Sequence, residues 1–173
     1  MNASTREYIN DLAQHVIKAY NITIPIANIE DVVKTIGGRI EVKPGLDDLC
    51  DGTIIKEGAN GFCIAISPYQ NGQRKAFTIA HELGHLFLHM GFRTNNSMWA
   101  VQDQAIYRRF GSSEQEYQAN EFAASLLMPK DMYRDILLDY AEDGHVDIAK
   151  VASYFNVSQA AAINRGKFLG YLV

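Results

Sequence analysis

The residues of this 173-residue chain best suited to chemistry lie together between Ala76 and Met90, in the stretch AFTIAHELGHLFLHM. His81-Glu82-Leu83-Gly84-His85 is an H-E-x-x-H pattern, which on an α-helix sets two imidazoles one turn apart with a carboxylate beside them. That spacing suits a single Zn²⁺ gripped by two ring nitrogens, with Glu82 placed as general base. At 100° per residue from His81, His85 falls near ~40°, Thr78 near ~60°, His89 near ~80° and Glu82 near ~100°. Phe77, Ile79, Ala80, Leu83, Leu86, Phe87 and Leu88 cover the rest of the circumference, so the helix is expected to be buried on most sides. The same five-residue pattern also arises as two solvated histidines and a salt-bridging glutamate. The apolar surroundings argue against that here, because imidazoles and a carboxylate buried without partners are costly and a metal ion is such a partner.

Zinc of this kind takes a third protein ligand. The segment from Ser113 to Met128 reads as the next helix, stopped by Pro129. With Glu116 at 0°, Asn120 comes to ~40°, Leu127 to ~20° and Ala123 to ~340°, an otherwise apolar face. Glu114 and Glu121 fall near ~160° and ~140°, beside Gln118 and Ser125, and are assigned to the solvent side. Glu116 is therefore the expected third ligand, completing a His₂Glu set. Ser113-x-x-Glu116 also fits a capping box, a role that Ser112-x-x-Gln115 can fill instead. Asn120 is expected to hydrogen-bond a liganding histidine. His89 lies about 12 Å along the helix axis from His81, too far to share an ion with it, and is expected to be structural or to line a cleft.

Several elements must position these groups. A first helix is expected from about Ser4 to Tyr20, capped by Ser4 or Thr5, and a second from Asn28 to Ile36, ended by Gly37-Gly38. Arg39–Val42, Gly52–Lys56 and Phe62–Ile66 read as strands of a small antiparallel sheet, and a strand beside a zinc helix can offer its edge to an extended peptide. The polar stretch from Gly91 to Ser113 carries one short helix around Val101 to Phe110. Its Trp99, Tyr107 and Arg108 either line a substrate cleft or cover core. Asp131 to Asp143 is an acidic amphipathic helix, and the segment from Asp147 to Arg165 runs helix, turn, helix. That pair is expected to pack on the body rather than read DNA, since only Arg165 and Lys167 supply positive charge near it. The fold class expected is α+β: a zincin-like core (residues 1–130) with its small antiparallel sheet on the H-E-x-x-H helix, then a C-terminal helix-turn-helix-like segment (residues 131–173).

Composition bounds the partners. A net charge of -4 gives no electrostatic footprint for nucleic acid, and 47% hydrophobic residues suffice for one core. The polar start of the chain and the lack of an 18-residue apolar run predict a cytoplasmic protein with no membrane segment. Cys50 and Cys63 are expected to be free thiols in that compartment.

His81-Glu-Leu-Gly-His-Leu-Phe-Leu-His89, followed by Glu116-Tyr-Gln-Ala-Asn-Glu-Phe-Ala-Ala-Ser-Leu-Leu-Met-Pro129, closely resembles the ImmA/IrrE family of metallo-endopeptidases. The resemblance implies an intracellular zinc protease, of a kind often carried by prophages and mobile elements, that cuts a helix-turn-helix repressor to relieve repression. It implies His81, His85 and Glu116 as ligands and Glu82 as general base. The group stabilising the oxyanion stays open between Tyr107 and His145. The competing expectation is a module that binds a repressor without cutting it and holds zinc structurally.

Overall fold

Apolar residues recurring along one side of its first twenty positions send the chain into helix α1 (Ala3–Ala19), whose Asn2 side chain accepts from the Thr5 N–H. Asn2 thus takes the capping role expected of Ser4 or Thr5, because the helix begins one turn earlier than its apolar pattern. The computed structural model describes residues 1–44, 52–102 and 114–173. Helix α2 (Ile29–Ile36) is capped by Asn28 as expected and leads directly into β1 (Gly38–Val42). Strands β2 (Gly52–Glu57) and β3 (Gly61–Ile66) form a hairpin.

The sheet is mixed, in the order β1-β3-β2, with β1 parallel to β3 and β2 antiparallel to it. This corrects the all-antiparallel expectation. Alternation identifies a strand but not the direction of its neighbour. The stretch between Val42 and Gly52 is far longer than a tight hairpin loop, which leaves β3 free to take the central place between the other two.

Helix α3 (Gly72–Leu88) carries the H-E-x-x-H residues and starts at an Asn71 cap, one turn before the stretch singled out above. It packs against β2, β3 and, most extensively, α5 (Glu114–Leu127). On its far side α5 lies against α1, so α5 is covered from two directions. A short helix α4 (Asn96–Ala100) follows α3, and the helix expected around 101–110 falls mainly outside the described residues. Trp99 is buried and donates its indole N–H to the Ala59 carbonyl at 2.7 Å, so it covers core.

Helix α6 (Lys130–Asp139) ends four residues before the expected Asp143, because the chain turns there into a two-residue hairpin, β4 (Ala141–Glu142) and β5 (His145–Val146). Helices α7 (Ile148–Tyr154) and α8 (Gln159–Leu169) complete the expected helix-turn-helix order. Tyr133 of α6 stacks on Phe155 and donates its hydroxyl to the Ala162 carbonyl at 2.6 Å. Arg165 of α8 is buried and reaches across to Met128 O at 3.0 Å, Glu121 Oε1 at 2.9 Å and Asn10 Oδ1 at 2.7 Å. Of the two positive charges counted above, Arg165 is thus internal and only Lys167 is exposed. No helix among the described residues is long and apolar enough to cross a membrane.

Candidate metal centre

Thr78, His81, Glu82 and His85 are all buried, although they are the polar stripe of α3. Two neighbours make that burial possible. A Cβ at Gly84 would lie 2.9 Å from Ala119 Cα and 3.0 Å from Ala119 O, so only glycine lets α3 and α5 approach this closely. A Cβ at Gly52 would lie 2.7 Å from Thr78 Cγ2 and 3.1 Å from Glu82 Oε1, so the start of β2 rests directly on the Glu82 side chain. Strand β2 is an edge strand, paired among the described residues with β3 alone.

The α3–α5 approach brings three groups together. His81 Nε2 and His85 Nε2 are 3.0 Å apart, and the Glu116 carboxylate straddles them, 3.2 Å from each. Ligand atoms at the corners of a zinc tetrahedron, each about 2.05 Å from the ion, are separated by about 3.3 Å. The observed separations of 3.0–3.2 Å are close to that edge length, with His81 facing Oε2 and His85 facing Oε1 of Glu116. His81, His85 and Glu116 can therefore hold a metal ion.

The proton positions on the rings follow from their outer partners. Asn120 Oδ1 lies 2.8 Å from His81 Nδ1 and takes that proton, which leaves the Nε2 lone pair facing Glu116. Gln118 Oε1, 3.0 Å from His89 Nε2, accepts the His89 proton. His89 Nδ1 is then an acceptor for His85 Nδ1, 2.9 Å away, and His85 too turns an Nε2 lone pair inward. Burial holds the His89 pKa below its ordinary value, against the opposing pull of Gln118 and Glu116, which favours a neutral ring at His89.

The structure thus gathers His81, His85, Glu116 and Asn120 at one point, with Glu82 on the same buried helix. His89 and Gln118 orient the arrangement. The reading that singled out α5 placed Gln118, Glu121 and Ser125 toward solvent, and this is corrected. Gln118 bonds His89, Ser125 is buried and donates to Asn10, and Glu121 is buried against Arg165. His145 sits exposed on β5 and is not among the residues lining the cavity at His81. Tyr107, Arg108, Ser112, Ser113 and Cys50 lie outside the described residues, whereas Cys63 is a buried free thiol.

His81 and Glu116 form part of the wall of a cavity of about 950 Å³, closed on its far side by α8.

Among solved structures, a Mycobacterium tuberculosis transcriptional regulator has a TM-score of 0.60 and 15% identity, over 92% of this chain and 46% of that one. The likeness is one of fold, and the chain spans a little under half the length of that regulator. No curated protein matches the chain. The family of IrrE N-terminal-like domains, peptidase M78, matches residues 51–167, a span that takes in the H-E-x-x-H helix, Glu116 and nearly all of α8. The chain therefore belongs to the IrrE N-terminal-like family of M78 peptidases.

Proposed function

We propose that this protein is a zinc-dependent endopeptidase whose substrate is another protein, a helix-turn-helix repressor. The observation that carries the reading is the convergence of His81 Nε2, His85 Nε2 and the Glu116 carboxylate, with Glu82 one residue from the first ligand on the same buried helix. The Mycobacterium tuberculosis protein of similar fold is itself a transcriptional regulator, which is consistent with a regulatory setting.

His81, His85 and Glu116 would hold the ion, which when bound supplies Lewis acidity to a water molecule and to the scissile carbonyl. Glu82 takes the proton from the attacking water and returns it to the leaving amide nitrogen. Asn120, and His89 through Gln118, keep both imidazoles in the tautomer that leaves Nε2 unprotonated. The β2 edge beside Glu82 suits an extended substrate backbone. Burial of Arg165 and the overall charge of -4 both weigh against direct DNA reading.

The test is incubation of the zinc-loaded protein with the helix-turn-helix protein encoded beside its gene. The expected result is a discrete fragment, lost with chelator and lost in a Glu82→Gln variant that still binds zinc. An intact substrate bound stably to the zinc-loaded protein would favour the non-cutting module instead. Cleavage retained by Glu82→Gln would remove Glu82 from the role of base.

A further inference from the structure

The cavity beside the metal centre has a second wall that the chemistry above does not use. Three residues of α8, Ala160, Asn164 and Phe168, recur every fourth position and face it as one stripe. Phe168 is 52% exposed, and Tyr117 of α5, on the same cavity, is 57% exposed, so aromatic surface is left open beside His81 and Glu116. At about 950 Å³ the space is at the upper end of what small ligands occupy, and it admits several side chains of an extended chain.

Charge in the cavity runs against that of the whole protein. Its two carboxylates are already committed, Glu116 to the metal-ligand set it forms with His81 and His85 and Glu121 to Arg165 and Asn10. Arg6 is not neutralised in this way. Its guanidinium lies 5.1 Å from the Phe168 ring centroid, Nη1 donates to the Phe168 carbonyl at 3.3 Å, and Nε is buried with no partner. Among the described residues no carboxylate pairs with it. Stacked on an aromatic ring and unpaired, a guanidinium is a ready partner for a carboxylate from outside.

We propose that Arg6 and Phe168 form a specificity subsite that selects substrate segments in which an acidic side chain neighbours an aromatic or aliphatic one. The proposal deepens the endopeptidase reading, since the subsite opens onto the same cavity as His81 and Glu116. A nucleic-acid ligand would also satisfy Arg6, but the aromatic and alanine surface on both walls suits peptide side chains better.

The test reads capture rather than cleavage. Zinc-loaded Glu82→Gln protein is applied to an array of synthetic 12-residue peptides in which an apolar residue is paired with Asp, Glu, Asn or Lys at varied spacing. Acidic-apolar peptides should be retained about tenfold better than their lysine counterparts, the margin of a charge-assisted contact. Arg6→Glu should reverse the charge preference. Phe168→Ala, at an exposed position, should weaken the apolar preference while zinc affinity and thermal midpoint stay unchanged. A charge preference that survives Arg6→Glu, an apolar preference that survives Phe168→Ala, or displacement of the peptides by a 12-nucleotide single strand would overturn the proposal. Selective capture without any fragment from the wild-type protein would leave the subsite standing and remove hydrolysis, and unselective cleavage would do the reverse.

Discussion

Replacing Gly84 by alanine adds one methyl group at the point where α3 and α5 touch, and two effects of opposite sign follow. Alanine is the better helix former in a helix interior by about 1 kcal/mol. Against that, the new Cβ would stand 2.9 Å from Ala119 Cα, 3.0 Å from Ala119 O and 3.2 Å from Phe122 Cβ. The first two are backbone atoms with no rotamer to escape into. Ordinary carbon contacts are about 3.5–4.0 Å, so the helices must part by roughly 0.6–1 Å. Overpacking of this kind costs about 1–3 kcal/mol, which outweighs the gain in propensity or cancels against it. The site is less forgiving than the fold. Glu116 and Asn120 flank Ala119 on α5, and metal–ligand distances tolerate only about 0.2 Å. A displacement several times larger should weaken zinc binding by about 10–100-fold, the usual range when a supporting residue is disturbed. Thermal unfolding of the metal-free protein should fall by only a few degrees, while competition with a chromogenic chelator reports the loss of zinc affinity. Unchanged zinc affinity in Gly84→Ala would refute the claim that close helix approach assembles the centre.

Other perturbations follow from the same contacts. Arg165→Met strands the Glu121 carboxylate in a buried site and should cost about 3–5 kcal/mol in urea denaturation. Adding Glu121→Leu should restore most of that loss, since Asn10 Nδ2 keeps the Arg6 carbonyl, and strict additivity would contradict the pairing. His89→Ala removes the acceptor for His85 Nδ1–H and should lower zinc affinity about tenfold or more, with His89→Gln recovering part of it. Equal affinities in all three proteins would dismiss the relay. Burial pushes the Cys63 thiol above its ordinary range, so in a Cys50→Ser background a thiol reagent at pH 7.5 should label it only after unfolding, and rapid native labelling would show the opposite.

Much of the centre was legible because its residues share two helices. The wheel positions of His81, Glu82, His85 and Glu116 follow from spacing alone, and so does Asn120 one turn on from Glu116. What the wheel missed, it missed for a definite reason. A single inward face assumes one packing partner, but α5 is enclosed by α3 on one side and α1 on the other. Glu121, turned away from Glu116, therefore meets Arg165 rather than water. His89 stood on the polar stripe, yet its purpose depended on Gln118, a residue assigned to solvent for the same mistaken reason. Gly84 is a free position in the H-E-x-x-H pattern, and its necessity is visible only from the backbone of α5. The parallel placement of β1 depends on a connection rather than on any strand residue.

The Arg165 junction has a bearing on how the parts of the molecule hold together. Asn10, Glu121 and Arg165 lie far apart in the chain, yet each is needed to satisfy the others. Without Arg165, the Glu121 carboxylate on the face of α5 turned away from Glu116 keeps Asn10 Nδ2 as a donor but loses its opposite charge. Residues 131–173 are thereby tied to the body of the protein through one buried polar junction, and neither part can be unfolded without exposing the other's charge.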